Sequence, residues 1–341
     1  MNRCVKCILP ESFPGIKFDR QGVCNYCRSY EGNLQKSEES RRKLERKFVE
    51  LLESVPRTGN YDCVIAYSGG KDSSYTLKLM RERFGLRVVA VTFDNGFLPE
   101  LTYQNIRHVV EGLGVDHITI KPDFQLLRKI FVEASKGRLY PKKTVERAST
   151  VCTSCIAFVK FISLRLAIEQ SIPFVVFGWS PGQVSGSSPI FKMNPMIIKS
   201  MQSVLYTPLQ RIAGDRINPY FLEPRHFAAA DRFPYSISPL SFVDYREDAV
   251  LREIAEYGWR RPDEVDANST NCLLNSFANQ LHRAQHGYNP YVFELSKLVR
   301  EGYLERRDAL ERIEQLGDQS VIEFVERKLG LGSRNVRWRE K

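Results

Sequence analysis

The chain has 341 residues, enough for one large domain or two medium ones and too many for a miniprotein stapled by disulfides. Hydrophobic residues make up 43% and charged residues 26%, which excludes a disordered or fibrous chain. Fifty basic against forty acidic side chains leave a formal charge of +10, which suits a phosphate-bearing substrate without requiring nucleic acid.

The longest apolar run, Ile172–Trp179, is far short of the roughly 20 residues a membrane span needs. No apolar stretch follows Met1-Asn2-Arg3-Cys4, so no secretory leader is read there, and a cytoplasmic chain with reduced thiols is the expectation. Six of the eight cysteines fall in Cys-x-x-Cys pairs. The first two pairs, Cys4-x2-Cys7 and Cys24-x2-Cys27, are separated by sixteen residues, a spacing that fits a tetrahedral zinc ribbon. Turns at Pro10, Pro14-Gly15 and Gly22 and a small apolar set of Phe13, Ile16 and Phe18 make a unit over residues 1–30 that needs its metal to fold. A charged helix around Ser37–Ser54, within a linker over 31–60, joins it to the rest.

The most informative stretch is 62–79. An apolar strand, Cys63-Val64-Ile65-Ala66-Tyr67, runs into Ser68-Gly69-Gly70-Lys71-Asp72-Ser73-Ser74, and a helical pattern with Leu77, Leu79 and Met80 follows. Strand, glycine turn and helix start form an anion cradle. Gly69 and Gly70 let the backbone approach phosphate, the helix start presents free N–H groups, and Lys71, Ser68, Ser73 and Ser74 add charge and hydroxyls. A Walker loop is excluded, because its first glycine would fall at Ile65. Cys63, inside the strand, reads as core.

A second strand over Leu86–Phe93 ends in Asp94-Asn95-Gly96, where ligands bind in open α/β sheets and where turn chemistry alone would also serve. A helix over Asn105–Gly112, a short strand at His117–Ile120 and another at Pro173–Phe177 follow, the last ending in Gly178-Trp179-Ser180-Pro181-Gly182-Gln183. This alternation predicts an α/β fold with a doubly wound parallel sheet. Between the last two strands lies a basic run, Lys136, Arg138, Lys142, Lys143 and Arg147, which could track a phosphate backbone or be a solvated loop. Tyr140 is the only aromatic interleaved with it. Residues 180–195, with Gly182, Ser185, Gly186, Ser187 and Ser188, read as a loop beside the strand end that could close over substrate. His226 is a lone histidine and reads as structural more readily than as an acid or base.

The third pair, Cys152 and Cys155, has only Cys272 as a companion, in the polar stretch Asn268–Asn275. Three thiolates could hold a cubane iron–sulfur cluster with one iron open, or a metal with an exchangeable position. A redox-active dithiol, a second zinc with a non-cysteine ligand, and a simple core role for Cys272 fit the spacing equally well.

The motif Ser68-Gly69-Gly70-Lys71-Asp72-Ser73 resembles the pyrophosphate loop of the N-type (PP-loop) ATP pyrophosphatases, whose fold is adenine nucleotide alpha hydrolase-like. That resemblance implies Mg²⁺-ATP bound at Ser68–Ser74, with Asp94, Asn95 and Gly178 lining the nucleotide, cleavage between the α- and β-phosphates, and adenylation of a substrate oxygen, with Lys71 and Asp72 in catalytic roles. Two subfamilies are similar. The run from Cys4-x-x-Cys7-Ile8-Leu9-Pro10 to Gly22-Val23-Cys24-Asn25-x-Cys27 resembles the N-acetyl sugar amidotransferases, which implies ammonia from a glutaminase partner. The order zinc module, phosphate loop, Cys-x-x-Cys and distant cysteine resembles the iron–sulfur-dependent thiouridine synthases acting on transfer RNA. By that likeness Cys152, Cys155 and Cys272 ligate a [4Fe–4S] cluster whose open iron takes sulfide. Those synthases carry Gly-His-Asn-x-x-Asp where this chain has Gly178-Trp179-Ser180-Pro181-Gly182-Gln183, and no cysteine follows Cys272 to build a second zinc module.

Sulfur transfer is the favoured expectation and amide formation the alternative. The acceptor is then a small molecule or a transfer RNA, and the donor a sulfur carrier or a glutaminase subunit. No membrane partner is expected, and a homodimer is left open. An ATP-binding domain is expected over 61–215, and a mainly helical region over 216–341 that returns Cys272 to the site, with amphipathic helices over Phe293–Leu316.

Overall fold

Cys63–Ala66 forms β1, and all four of its residues are buried. The structure is a computed structural model describing residues 2–31, 36–184 and 189–332. Helices α1 (Asn25–Glu31) and α2 (Lys36–Ser54) precede β1. After it come α3 (Lys71–Lys78), β2 (Val88–Phe93), α4 (Glu100–Leu113), β3 (Asp116–Ile120), α5 (Phe124–Ser135), α6 (Thr150–Glu169) and β4 (Phe174–Phe177). The chain continues through β5 (Ile190–Lys192), α7 (Pro195–Ala213), α8 (Pro224–Ala228), β6 (Tyr235–Ile237) and α9 (Glu247–Ala255). It closes with α10 (Leu274–His286), α11 (Val292–Arg300), α12 (Arg306–Glu314) and α13 (Gln319–Leu329).

The strands form one sheet in the order β3-β2-β1-β4-β6-β5. All neighbours run parallel except β5, which lies antiparallel to β6 at the edge. The expected doubly wound sheet is therefore present, with one antiparallel edge strand. Strand order reverses between β1 and β4, and the register sets Ala66 beside both Val91 and Phe177. The turns after β1, β2 and β4 consequently share one rim, at the switch point where open α/β sheets bind ligands.

Alternation along the strands feeds two cores. Val64, Ala66, Val89, Val91 and Val175 face α5, α6, α10 and α13, while Cys63, Ile65, Val88, Ala90 and Val176 face α2, α3, α4 and α9. Helix α6 is long and apolar enough to cross a membrane by length and composition, but 61% of that stretch is buried inside the protein, as in a core helix. β6 lies inside the region expected to be mainly helical, so the sheet extends past residue 215. At three residues this strand is too short to announce itself by periodicity, and pairing with β4 holds it.

The N-terminal module packs on the far end of the chain. Phe13 stacks on Phe293 with ring centroids 5.4 Å apart, and Ile8, Leu9 and Val23 share a core with Val292, Leu298 and Ile313. Arg306 donates to the carbonyls of Cys7 at 2.9 Å and Cys4 at 3.2 Å, fastening the cysteine turns to α12. Module, α11 and α12 share one core.

Candidate active site

The rim at the switch point opens into a cavity of about 500 Å³, the size of a small-molecule site. One wall is the turn between β1 and α3. Gly69 has φ +75°, a conformation that favours glycine, and a side chain there would also strike Ile106. Ser73 Oγ donates to the Gly70 carbonyl at 3.0 Å and lies 3.1 Å from Ser68 Oγ, so the two hydroxyls brace the turn while facing the cavity. Ser74 is fully buried and pairs with Tyr67 at 3.3 Å, which makes it a support of the turn and not part of the lining.

Gly178, at the end of β4, approaches α3 so closely that a Cβ would stand 2.8 Å from Ser73 Cα. Lys71 Nζ bonds Asp72 Oδ1 at 2.8 Å and Tyr245 Oη at 2.7 Å, with Glu247 at 3.9 Å. Burial works against the ammonium, but Asp72 and Glu247 outweigh it and hold the lysine above its ordinary value. Tyr245 also donates to Asp72 at 2.7 Å, and Arg312 anchors Glu247 at 2.9 Å.

The stretch Asn268–Asn275 lies directly on this loop. Thr270 Oγ1 accepts from the Lys71 N–H at 3.0 Å, Asn271 Nδ2 donates to the Ser68 carbonyl at 3.1 Å, and Trp259 Nε1 donates to the Gly69 carbonyl at 2.9 Å. The Thr270 hydroxyl thus takes one of the amides an anion would use. Thr270→Val leaves that amide free, and because one such bond is worth about 1 kcal/mol, Mg-ATP should bind roughly fivefold tighter, measured by calorimetric titration.

Two residues beyond Thr270, Cys272 enters the same cavity as Cys152 and Cys155. Ser149 caps α6 by accepting from the Cys152 N–H at 3.0 Å, and the three-residue step puts Cys155 one turn along the same face. The Asn95 amide donates to Cys272 Sγ at 3.4 Å and Cys155 Sγ at 3.6 Å, so the turn after β2 gathers the two distant thiols. Burial pushes Cys152 up to about 12 and raises Cys155 and Cys272, so all three need a cationic partner to stay ionised. Donor type, shared cavity and the amide aimed at sulfur fit an iron–sulfur cluster.

The N-terminal sulfurs are gathered differently. Those of Cys4, Cys7, Cys24 and Cys27 all lie within 4.8 Å of one another, the one such group among the described residues. Cys4–Cys27 and Cys7–Cys24 are each 3.7 Å apart, close to the roughly 3.8 Å that thiolates about 2.3 Å from a tetrahedral zinc require. N–H groups of Cys24 and Cys27 point at the sulfurs of Cys4 and Cys24 at 3.3 and 3.4 Å. Cys24→Ser should abolish metal retention here and lower thermal stability by several degrees, read by metal analysis and a melting curve.

Several expectations shift. Asn95 lines the cavity, but Asp94 does not: its carboxylate is taken by the Gly96 N–H at 2.8 Å, Tyr103 at 2.9 Å and Lys121 at 3.0 Å. Burial opposes its charge, yet those partners hold it below the usual range. His226 caps α8 through Nδ1 and meets Glu169 at 2.9 Å, a structural role. Of the basic run only Arg147 lines the cavity, stacked 3.8 Å over the Phe293 ring, while Tyr140 is buried against Ser154 at 2.9 Å and offers no platform. The loop beyond Gly178 is shorter than read, since β5 starts at Ile190; Ser185, Gly186, Ser187 and Ser188 lie outside the described residues. The cavity also holds a carboxyl that no motif announced, Glu294 on α11, with Tyr245, Glu247 and Tyr291 nearby. The available signal was an acid flanked by Val292, Phe293 and Leu295 on an otherwise apolar face.

No family model matches the chain. An uncharacterized protein of Methanocaldococcus jannaschii is 21% identical over 304 residues, covering 88% of each chain. Among solved structures, a U34-tRNA thiolase of Methanococcus maripaludis with its [4Fe–4S] cluster overlaps 97% of this chain and 99% of its own at 18% identity and TM-score 0.37. The NMN synthetase of Francisella tularensis overlaps 87% and 97% at 15% identity and TM-score 0.37. The Ser-Gly-Gly-Lys-Asp-Ser turn, which resembles the pyrophosphate loop of the PP-loop ATP pyrophosphatases, stands between β1 and α3 at the switch point of a doubly wound parallel sheet.

Proposed function

We propose that the protein cleaves Mg-ATP between its α- and β-phosphates, adenylates a carbonyl oxygen of an acceptor, and replaces that oxygen with sulfur. The observation that supports sulfur is the sharing of one cavity by the phosphate loop and the thiols of Cys152, Cys155 and Cys272. Cys152, Cys155 and Cys272 would hold a [4Fe–4S] cluster, which with three protein ligands leaves one iron free to take up sulfide. The four N-terminal thiols would hold zinc as a structural ion, and eight free cysteines suit a reducing cytoplasm.

The chain's own residues supply binding and alignment. N–H groups at the start of α3 receive the phosphates, as helix N-termini do, and Lys71, fixed by Asp72 and Tyr245, adds charge where pyrophosphate leaves. Asn95 orients the sulfurs of Cys155 and Cys272 toward the same space. Phe93 and Phe177 give the cavity apolar wall beside the loop.

The test uses anaerobically purified protein with Mg-ATP, sulfide and total tRNA, following AMP, pyrophosphate and sulfur in the RNA. AMP with one pyrophosphate and one sulfur per turnover is expected. ADP as product, or an iron-free protein with full activity, contradicts it. Product formation with ammonia that persists in Cys152→Ser would favour amide transfer instead.

A further inference from the structure

Glu294 lines the cavity that the phosphate loop and the thiols share, and nothing in the phosphate-loop motif requires it. Ser180 Oγ donates to its Oε1 at 2.6 Å. The backbone of Gly182 crosses its stem so closely that a Cβ there would stand 2.7 Å from Glu294 Cγ. Lys297, one turn along α11, donates to the carbonyls of Pro181 and Val184 at 2.7 Å each, so the turn beyond β4 is pinned against this carboxyl. The groups facing it are Lys71 and Asp72 from α3, Glu247 from α9, Tyr245 just before it, and Tyr291 before α11. Of the three cations lining the cavity, Lys71 is bonded to Asp72, Arg312 to Glu247, and Arg147 stacks over the Phe293 ring. Among the described residues Glu294 is thus the lining carboxyl held by a hydroxyl, that of Ser180, and not by an ion pair.

We propose that Glu294 accepts the proton of the nucleophile that displaces AMP. The proposal rests on the adenylation reading above. In that step a bond forms between sulfur and the acceptor carbon while the bond from that carbon to the adenylate oxygen breaks. AMP leaves with the electron pair, and the S–H proton passes to the Glu294 carboxylate and on to solvent; no electron changes hands. With ammonia as nucleophile the N–H proton takes the same route. Burial first, and then Asp72, push the carboxyl up to about 7 against the Ser180 bond, where a general base works best near neutral pH. Below that value it holds a proton and cannot accept one, so turnover should rise with pH to about 7 and then level.

Two readouts on the full-length, iron-loaded protein test this with Glu294→Gln. In the sulfide and total-tRNA assay the variant should be about a hundredfold slower and should lose the acid limb of its pH profile. A wild-type rate, or an unchanged limb, overturns the proposal. The second readout needs no acceptor. Mg-ATP binding to wild type should weaken severalfold from pH 6 to pH 8, as an ionised Glu294 comes to face the phosphates, whereas the variant should vary far less. If no acceptor is turned over, the adenylation reading fails by itself and this titration still decides: matching pH dependence in wild type and variant overturns the role of Glu294.

Discussion

Cys272→Ser should strip the protein of iron and abolish sulfur transfer while leaving nucleotide binding almost unchanged. The sulfur of Cys272 shares the Asn95 amide with Cys155, so its loss removes one of three anchors of the proposed cluster and one of the contacts that tie the turn after β2 to the thiols. The neighbouring contacts to the loop belong to Thr270, Asn271 and Trp259 and are untouched. Serine nearly preserves volume, so the fold should survive. The expected result is iron near zero by metal analysis, transfer down at least about a thousandfold, and Mg-ATP affinity within roughly threefold of wild type. Losing a ligand is far costlier than the tenfold to hundredfold typical of an outer-shell partner. Retained transfer with lost iron would sever the thiols from the chemistry.

Gly178→Ala should damage the nucleotide site itself. The added Cβ would stand 2.8 Å from Ser73 Cα, 3.0 Å from Ser73 N and 3.1 Å from the Asp72 carbonyl. All three are backbone atoms, so no side chain can swing aside and α3 must withdraw from β4. Overpacking of this kind costs about 1–3 kcal/mol in stability. The larger effect falls on function, because in the proposed reaction the start of α3 presents the amides that receive phosphate, and an ångström there misplaces them all. Mg-ATP affinity should fall by at least about tenfold and turnover by about a hundredfold, measured by calorimetry and by AMP release. Wild-type binding in this variant would mean that the nucleotide lies elsewhere.

The parts of the site legible in sequence were those written in short, contiguous patterns. Cys63–Tyr67 with the glycines after it predicted a strand, a turn and a helix, and all three are present, the strand ending at Ala66. The pairs Cys4/Cys7 and Cys24/Cys27 predicted one metal-competent knot, and their sulfurs converge. What stayed hidden was made by distance along the chain. Thr270 reaches Lys71 across 199 residues and Glu294 reaches Ser180 across 114, and neither contact leaves a local signal. Asp94 misled because a carboxylate at a strand end looks the same whether it faces a ligand or, as here, Lys121 and Tyr103. β5 and β6 are three residues each, stabilised by pairing and not by any periodicity of their own.

The central claim is that ATP lies on the amides that begin α3, with its inner anhydride toward the three thiols. An anaerobic crystal structure grown with a non-hydrolysable Mg-ATP analogue tests it most directly. The account predicts the β- and γ-phosphates against the amides of Gly70 to Ser73, the Thr270 hydroxyl displaced from the Lys71 N–H, and the α-phosphate on the side of Cys272. A nucleotide bound away from that turn, or a turn still capped by Thr270 at saturating nucleotide, would contradict it.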